Sequence, residues 1–245
     1  MSVLPLFPLI IMIFTSIFTS ALSAATGMGG GVLLFTVMTL YFPMSTLIPI
    51  HGIIQFFNNF FILIFLKSHL KKSLLKPFLI GSILGISAGA FLVSKIIQTK
   101  YPQIIIVLLI AYTLFRPKKL PNLELKHKNF FWVGILTGFL GIIAGAIDPV
   151  LGPFFVRKDL NKEEIIANKA FMQAIVHLAK VPVFLLLGFD YLPYLSFCII
   201  TNIACIFGTK FGIVLLQKMN EKIFLLVFKL ALISTGLRLV YKIFF

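Results

Sequence analysis

Charge is what this sequence has least of. Only 12% of its 245 residues are charged, against a hydrophobic share of 60% and a mean hydropathy of +1.07. Soluble globular chains carry about 25% charged residues, and a soluble fold of this length has too much surface to wet with so few. Acids are scarcest, seven against 22 lysines and arginines. Cysteine is nearly missing: Cys198 and Cys205 lie seven apart on one apolar run, which excludes a disulfide framework and reads as two small buried hydrophobes. Catalytic signatures are missing too, with no H-E-x-x-H, no G-x-S-x-G and no P-loop. The four histidines, at 51, 69, 127 and 177, are scattered, so neither a metal site nor a cofactor is expected. Acid–base work by Asp148 with His177 keeps a membrane-embedded enzyme as a minor alternative to a non-enzyme.

What is present is apolar sequence in long runs, at about 4–25, 46–66, 74–94, 102–115, 129–147, 165–188, 191–216 and 222–241. A bilayer core of about 30 Å needs about 20 helical residues. Strict period-2 alternation is absent, which argues against an outer-membrane barrel. Unpaired backbone polar groups cannot face lipid, so the runs are helices. The predicted class is an all-α integral membrane protein with about eight hydrophobic spans. The first run does not read as a cleaved signal, because Met1-Ser2-Val3 carries no positive charge and the apolar stretch continues to Leu40. The net charge of +15 does not imply nucleic acid, since the lysines sit in short loops such as Lys67–Lys76 and Arg116–Lys128. Those loops read as topology determinants.

The chain repeats itself. Thr26-Gly27-Met28-Gly29-Gly30-Gly31 aligns with Ala144-Gly145-Ala146-Ile147-Asp148-Pro149 at an offset of 118, which also places Gln55 on Gln173 and Asn59 on His177. Further on, Gly85-x3-Gly89 aligns with Gly208-x3-Gly212 at an offset of 123. The expected division is a first membrane repeat at 1–118, a cytoplasmic basic linker at 119–128 and a second repeat at 129–245, all within one membrane domain.

Loop charge orients the halves. With four simple crossings per half, the basic residues split about ten to eight, which is almost no bias. If each half instead opens with a re-entrant or broken helix pair followed by three crossings, the loops 67–76, 116–128, 157–169 and 216–222 share one face. That face holds fifteen basic residues and the other holds four, Lys95, Lys100, Arg238 and Lys242. Such a bias is what the positive-inside rule expects. An odd number of crossings makes the repeats inverted, with basic loops cytoplasmic and both termini outside.

The glycine run at Gly27–Gly31 breaks the first apolar stretch before a short run at 32–41. Glycine disfavours helix by about 1 kcal/mol per position, and unwound backbone at membrane depth is tolerated only inside protein or against a cavity. A short helix beginning at Gly30 or Gly31 would offer free N–H groups and a dipole to an anion. Close packing through small residues is the rival explanation. The second break differs, with Asp148, Pro149 and Pro153. A carboxylate there needs a lysine partner or a proton, or else repels an anion. Lys180 shares a helix face with Gln173 and His177, and with Lys169 nearer the membrane surface. The matching first-half face carries His51, Gln55, Asn58 and Asn59. These polar positions read as a cavity lining, with interhelical hydrogen bonding as the alternative. Lys210 is placed to snorkel and Lys229 to be buried.

At the glycine break the sequence resembles the sulfite exporter TauE/SafE family, also called the 4-toluene sulfonate uptake permeases. Gly27-Met28-Gly29-Gly30-Gly31-Val32-Leu33-Leu34, the Pro43 turn, the basic loop Lys67–Lys76, Gly81-x3-Gly85-x3-Gly89 and Thr235-Gly236-Leu237-Arg238 carry the likeness, which runs over almost the whole chain. It implies transport of a sulfur-containing anion such as sulfite or a sulfonate across a bacterial inner membrane. Members often repeat G-x-G-G-G in the second half, where this chain has Ile147-Asp148-Pro149.

Together these features predict a secondary transporter of a small oxyanion, its partners being the solute, the bilayer and protons as coupling ion, with no nucleic acid. Gly27, Gly29, Gly30, Gly31, Gln55, Asn58, Asn59, Gln173, His177 and Lys180 are the expected binding residues. Asp148 and His177 are the expected proton carriers. A membrane scaffold with a dry, closed core is the main rival. A channel would need a continuous polar stripe, which the mid-span clustering does not offer.

Overall fold

The protein folds into helices throughout its described length. A computed structural model describes residues 4–27, 29–115, 125–155, 157, 159–215, 233, 237, 240 and 241. In chain order the helices are α1 (Leu6–Thr26), α2 (Gly30–Met38), α3 (Met44–Leu66), α4 (Lys72–Ile96), α5 (Tyr101–Phe115), α6 (Phe130–Ala144), α7 (Asp148–Leu151), α8 (Lys162–Leu186) and α9 (Leu195–Leu215).

Six of these, α1, α3, α4, α6, α8 and α9, are long and apolar enough to cross a membrane, counting the short 3-10 turns that extend α3, α6 and α9. The sequence led us to expect about eight spans. The run at 102–115 forms α5, and the run at 222–241, with Lys229, lies largely outside the described residues. Phe14, Phe18, Ile80, Ile83, Phe91, Phe207 and Phe211 point outward, as a lipid-facing surface requires. Lys210 is exposed as well, in keeping with a snorkelling side chain.

Local chemistry sets the helix ends. α1 stops at Gly27, whose φ of 66° is left-handed and whose N–H returns to the Ser23 carbonyl. α6 stops the same way at Gly145, with φ 82° and its N–H on Gly141 O. At the first break the chain folds back, bringing Gly30 against the Thr19 carbonyl and Ser23 Oγ with no room for a Cβ. α8 begins with a capping box, in which Asn161 Oδ1 accepts from the Glu164 N–H (2.8 Å) and Glu164 Oε2 from the Asn161 N–H (3.0 Å). Asn161→Ala is expected to cost about 1 kcal/mol of stability, read as a lowered melting temperature in detergent with flux at low temperature unchanged.

Glycine faces clamp the long helices together. On α4, Gly81, Gly85 and Gly89 lie against the carbonyls of Phe131, Ile135 and Phe139 of α6, while Gly134 and Gly138 of α6 lie against Phe78 O and Ser82 O of α4. Residue numbers rise together along both helices, so the two run parallel. α9 meets α1 alike, Gly208 at Ile17 O and Gly212 at Ala21 O. Ile17 and Ile135 are 118 apart, and Gly85 and Gly208 are 123 apart, the offsets of the internal repeat. The same contact is thus made twice, each time between a helix of one half and a helix of the other.

α3 and α8, which also correspond under the offset of 118, run antiparallel. The rings of His51 and His177 meet with centroids 5.5 Å apart, whereas Ile62 and Leu66 cluster with Ile166, Ala167 and Ala170. Beyond that cluster, Asn168 Oδ1 accepts the Lys71 N–H at 2.9 Å, and Asn168 Nδ2 donates to His69 O at 3.2 Å.

Three of the four basic loops meet at one end of the bundle. Lys71 Nζ pairs with Glu164 at 3.0 Å, and His127 touches Ser73 Oγ at 2.8 Å and Asp159 Oδ2 at 3.3 Å. Arg157 grips Asp159 through two bonds, at 2.6 and 2.8 Å, which holds the Asp159 carboxyl well below the usual carboxylate range. The fourth loop, 216–222, lies outside the described residues. One member of the basic set moves inward: Lys169, expected near the membrane surface, is 1% exposed because the second turn of α8 packs against Gly27.

Candidate functional site

The two breaks come together at the crossing of α3 and α8, and the polar residues divide between them. Around the first break, the Gly31 N–H donates to Asp148 Oδ2 at 3.2 Å. Gln173 Nε2 donates to Asp148 Oδ1, and Lys169 Nζ donates to Gly27 O. Gly31 has no space for a side chain, since a Cβ would stand 2.8 Å from Asp148 Oδ2 and 3.3 Å from Gln55 Oε1. The group at the start of α2 is therefore a side-chain carboxyl from the opposite half. No lysine lies within ion-pairing distance of Asp148 among the described residues.

Around the second break, Lys180 Nζ donates to Gly145 O at 2.6 Å and stands 3.0 Å from His177 Nδ1. With Lys180 as an ammonium, His177 Nδ1 accepts. His51 Nε2 lies 3.0 Å from Gly31 O and must donate to it, because a carbonyl only accepts. His51 is fully buried, edge-on to Phe35 and His177, and its Nδ1 finds no hydrogen-bond partner. Each helix that ends at a break turns its carbonyl end toward a buried cation, Lys169 for α1 and Lys180 for α6. That is the favourable sense of the helix dipole.

Of the residues expected to bind solute, Gly31, Gln55 and Gln173 gather at the first break, and His177 and Lys180 at the second. Asn59 donates to Gln55 O at 2.8 Å and, with Ser23, Gly27 and Gln173, lines a narrow crevice beside the first break. Asn58 turns toward α9, where Thr209 donates to its Oδ1 at 3.3 Å. Lys180 reaches the second break and not the Gly29–Gly31 backbone. Sequence reasoning placed Lys169 too shallow and set His51 on the cavity-lining face without counting it among the binding residues, although the offset of 118 sets Lys169 on His51. Gly52 was missed as well; its lack of a side chain lets the Lys180 stem pass, and a Cβ would stand 2.9 Å from Lys180 Cδ.

A sequence model of the sulfite exporter TauE/SafE family matches residues 12–239. The chain belongs to that family.

The TauE/SafE match spans both breaks, α1 from Met12 onward and the other five long helices, and the resemblance carried by the glycine run thus extends over nearly the whole chain. TauE/SafE proteins are transporters and not enzymes, and the chain is a multi-pass membrane protein. No curated protein and no solved structure matches the chain significantly.

Proposed function

We propose that this TauE/SafE protein is a secondary transporter of a small oxyanion, with sulfite, a related sulfur oxyanion or a sulfonate as solute. One observation carries the reading. Two lysines, Lys169 and Lys180, are fully buried at the breaks, against one buried carboxylate among the described residues, Asp148. Two buried ammonium groups against one carboxylate make the centre positive, which selects an anion over a neutral or cationic solute. Lys180 spends two N–H groups on Gly145 O and His177, leaving one for a solute oxygen.

The arrangement of the halves fits alternating access. Equivalent helices related by an axis along the membrane normal would run parallel, whereas α3 and α8 are antiparallel, which supports inverted repeats at 1–118 and 129–245. The meeting of three basic loops at one end supports a cytoplasmic face there and both termini outside, in a bacterial inner membrane. Tags on either terminus that report a cytoplasmic position would refute this orientation.

The test is reconstitution. Purified protein in liposomes, challenged with sulfite, thiosulfate and sulfonates under an imposed pH gradient, is expected to move at least one of them well above empty liposomes. A protein inert toward all three would favour a scaffold.

A further inference from the structure

Asp148 sits where an anion would sit. The first residues of α2 form a helix N-terminus buried in the bundle, and the group held there is the carboxylate of the second-half break. Two donors from opposite halves hold it, the Gly31 N–H of the first and the Gln173 amide of the second. The Gly31 N–H is a single donor, so the carboxylate and a solute compete for it.

Resting on the transporter reading above, we propose that Asp148 is an internal substitute for the solute, displaced only when it takes up a proton, so that one proton travels with each anion in the same direction. The charges balance. A proton on one Asp148 oxygen removes one buried negative charge, and a monovalent oxyanion on the Gly31 N–H restores it, with Lys169 and Lys180 unchanged. Loaded and empty sites therefore bury the same net charge, and neither is penalised relative to the other. Without the proton the anion would meet a carboxylate at contact distance, a repulsion sharpened by the low dielectric.

The surroundings of Asp148 leave it this role. α2 presents the Gly31 N–H, α3 the Gln55 amide beside Gly31, and α8 the neutral Gln173 amide and, at longer range, the Lys169 ammonium. α5 and α6, which also pack against α7, contain no charged residue. His51 stands close by, donating to the Gly31 carbonyl, while Lys180 is engaged at Gly145 O and His177.

Liposomes with an alkaline interior, loaded with protein and supplied outside with a radiolabelled sulfonate, whose single charge does not change with pH, test this directly. Wild type is expected to accumulate the sulfonate above its outside concentration and to carry protons in with it, seen with a pH dye. Asp148→Asn keeps an oxygen toward Gly31 but cannot titrate. It is expected to bind and exchange the sulfonate at a rate that no longer varies with pH, with accumulation lost. Asp148→Glu is expected to restore accumulation, which a purely structural role for Asp148 would not require. Accumulation and proton uptake by Asp148→Asn equal to wild type would overturn the proposal while leaving the transporter reading intact. Should Asp148→Asn fail to elute as a single species in detergent, Asp148→Glu decides alone: accumulation without accompanying protons overturns the proposal. Wild type that moves neither sulfite, thiosulfate nor a sulfonate would instead remove the transporter reading itself.

Discussion

Lys180→Ala is expected to reduce anion flux to the level of empty liposomes while the protein still folds. The two effects separate because of how the ammonium is held. It touches only neutral groups, Gly145 O and His177 Nδ1, with no carboxylate partner among the described residues. Removing it deletes a buried charge without stranding an opposite one, and the relieved desolvation offsets the cavity that alanine leaves. A solute anion, by contrast, loses its one charge-assisted hydrogen bond from this side. That loss is about 2–3 kcal/mol, or about 30- to 150-fold in binding. Size-exclusion profile and melting temperature in detergent should stay near wild type, while Kd for the transported anion rises. Lys180→Arg should recover little, because Gly52 leaves a passage shaped to the lysine stem. Unchanged flux in Lys180→Ala would take Lys180 out of the mechanism.

The largest loss of stability is expected from Gly85→Ala and its counterpart Gly208→Ala. At Gly85 a Cβ runs into the carbonyl of Ile135, and at Gly208 into the carbonyl of Ile17. Both obstacles are backbone in the middle of a helix, so no rotamer change relieves them, and the helices must separate. Overpacking of this kind costs about 1–3 kcal/mol and sometimes more. Between membrane helices, close approach through small residues is itself much of what holds them together. Both variants should give low yields of monodisperse protein and a clearly lowered melting temperature. Ser87→Leu, on the exposed side of α4, serves as the control and should behave as wild type. Equal tolerance at Gly85 and Ser87 would mean that the α4–α6 contact carries no weight.

Much of the architecture was legible before any coordinates, because membrane helices advertise themselves by composition. The breaks at Gly27 and Gly145 could be read from glycine and from the repeat, and both proved to be left-handed helix ends. The face of α8 bearing Gln173, His177 and Lys180 followed from helical spacing, and all three side chains are buried there. The pairing of Asp148 with Gly31 was not legible. It joins residues 117 apart through the fold of both halves, and nothing local to Asp148 distinguishes an amide partner from a lysine. Lys169 misled for a simpler reason. Counting from the polar start of α8 puts it two turns in, near a surface, but that turn dips under Gly27. Its alignment with buried His51 was the available signal.

The glycine-lined pairing of α1 with α9 bears on how the chain comes to be built. α4 finds its partner α6 with α5 alone between them, soon after both are made. α1 is synthesised early, yet the helix that covers its Ile17 and Ala21 carbonyls starts at Leu195. Until α9 arrives, Ser16 and Ser20 on the inner face of α1, against which Cys205 and Gly208 come to lie, have only lipid or temporary neighbours to face. The fold is therefore interlocked: no early fragment can finish its own core, and assembly ends where it began, at the first helix. A chain cut off before α9 should be recognised by membrane quality control through α1, the part of it that was inserted first.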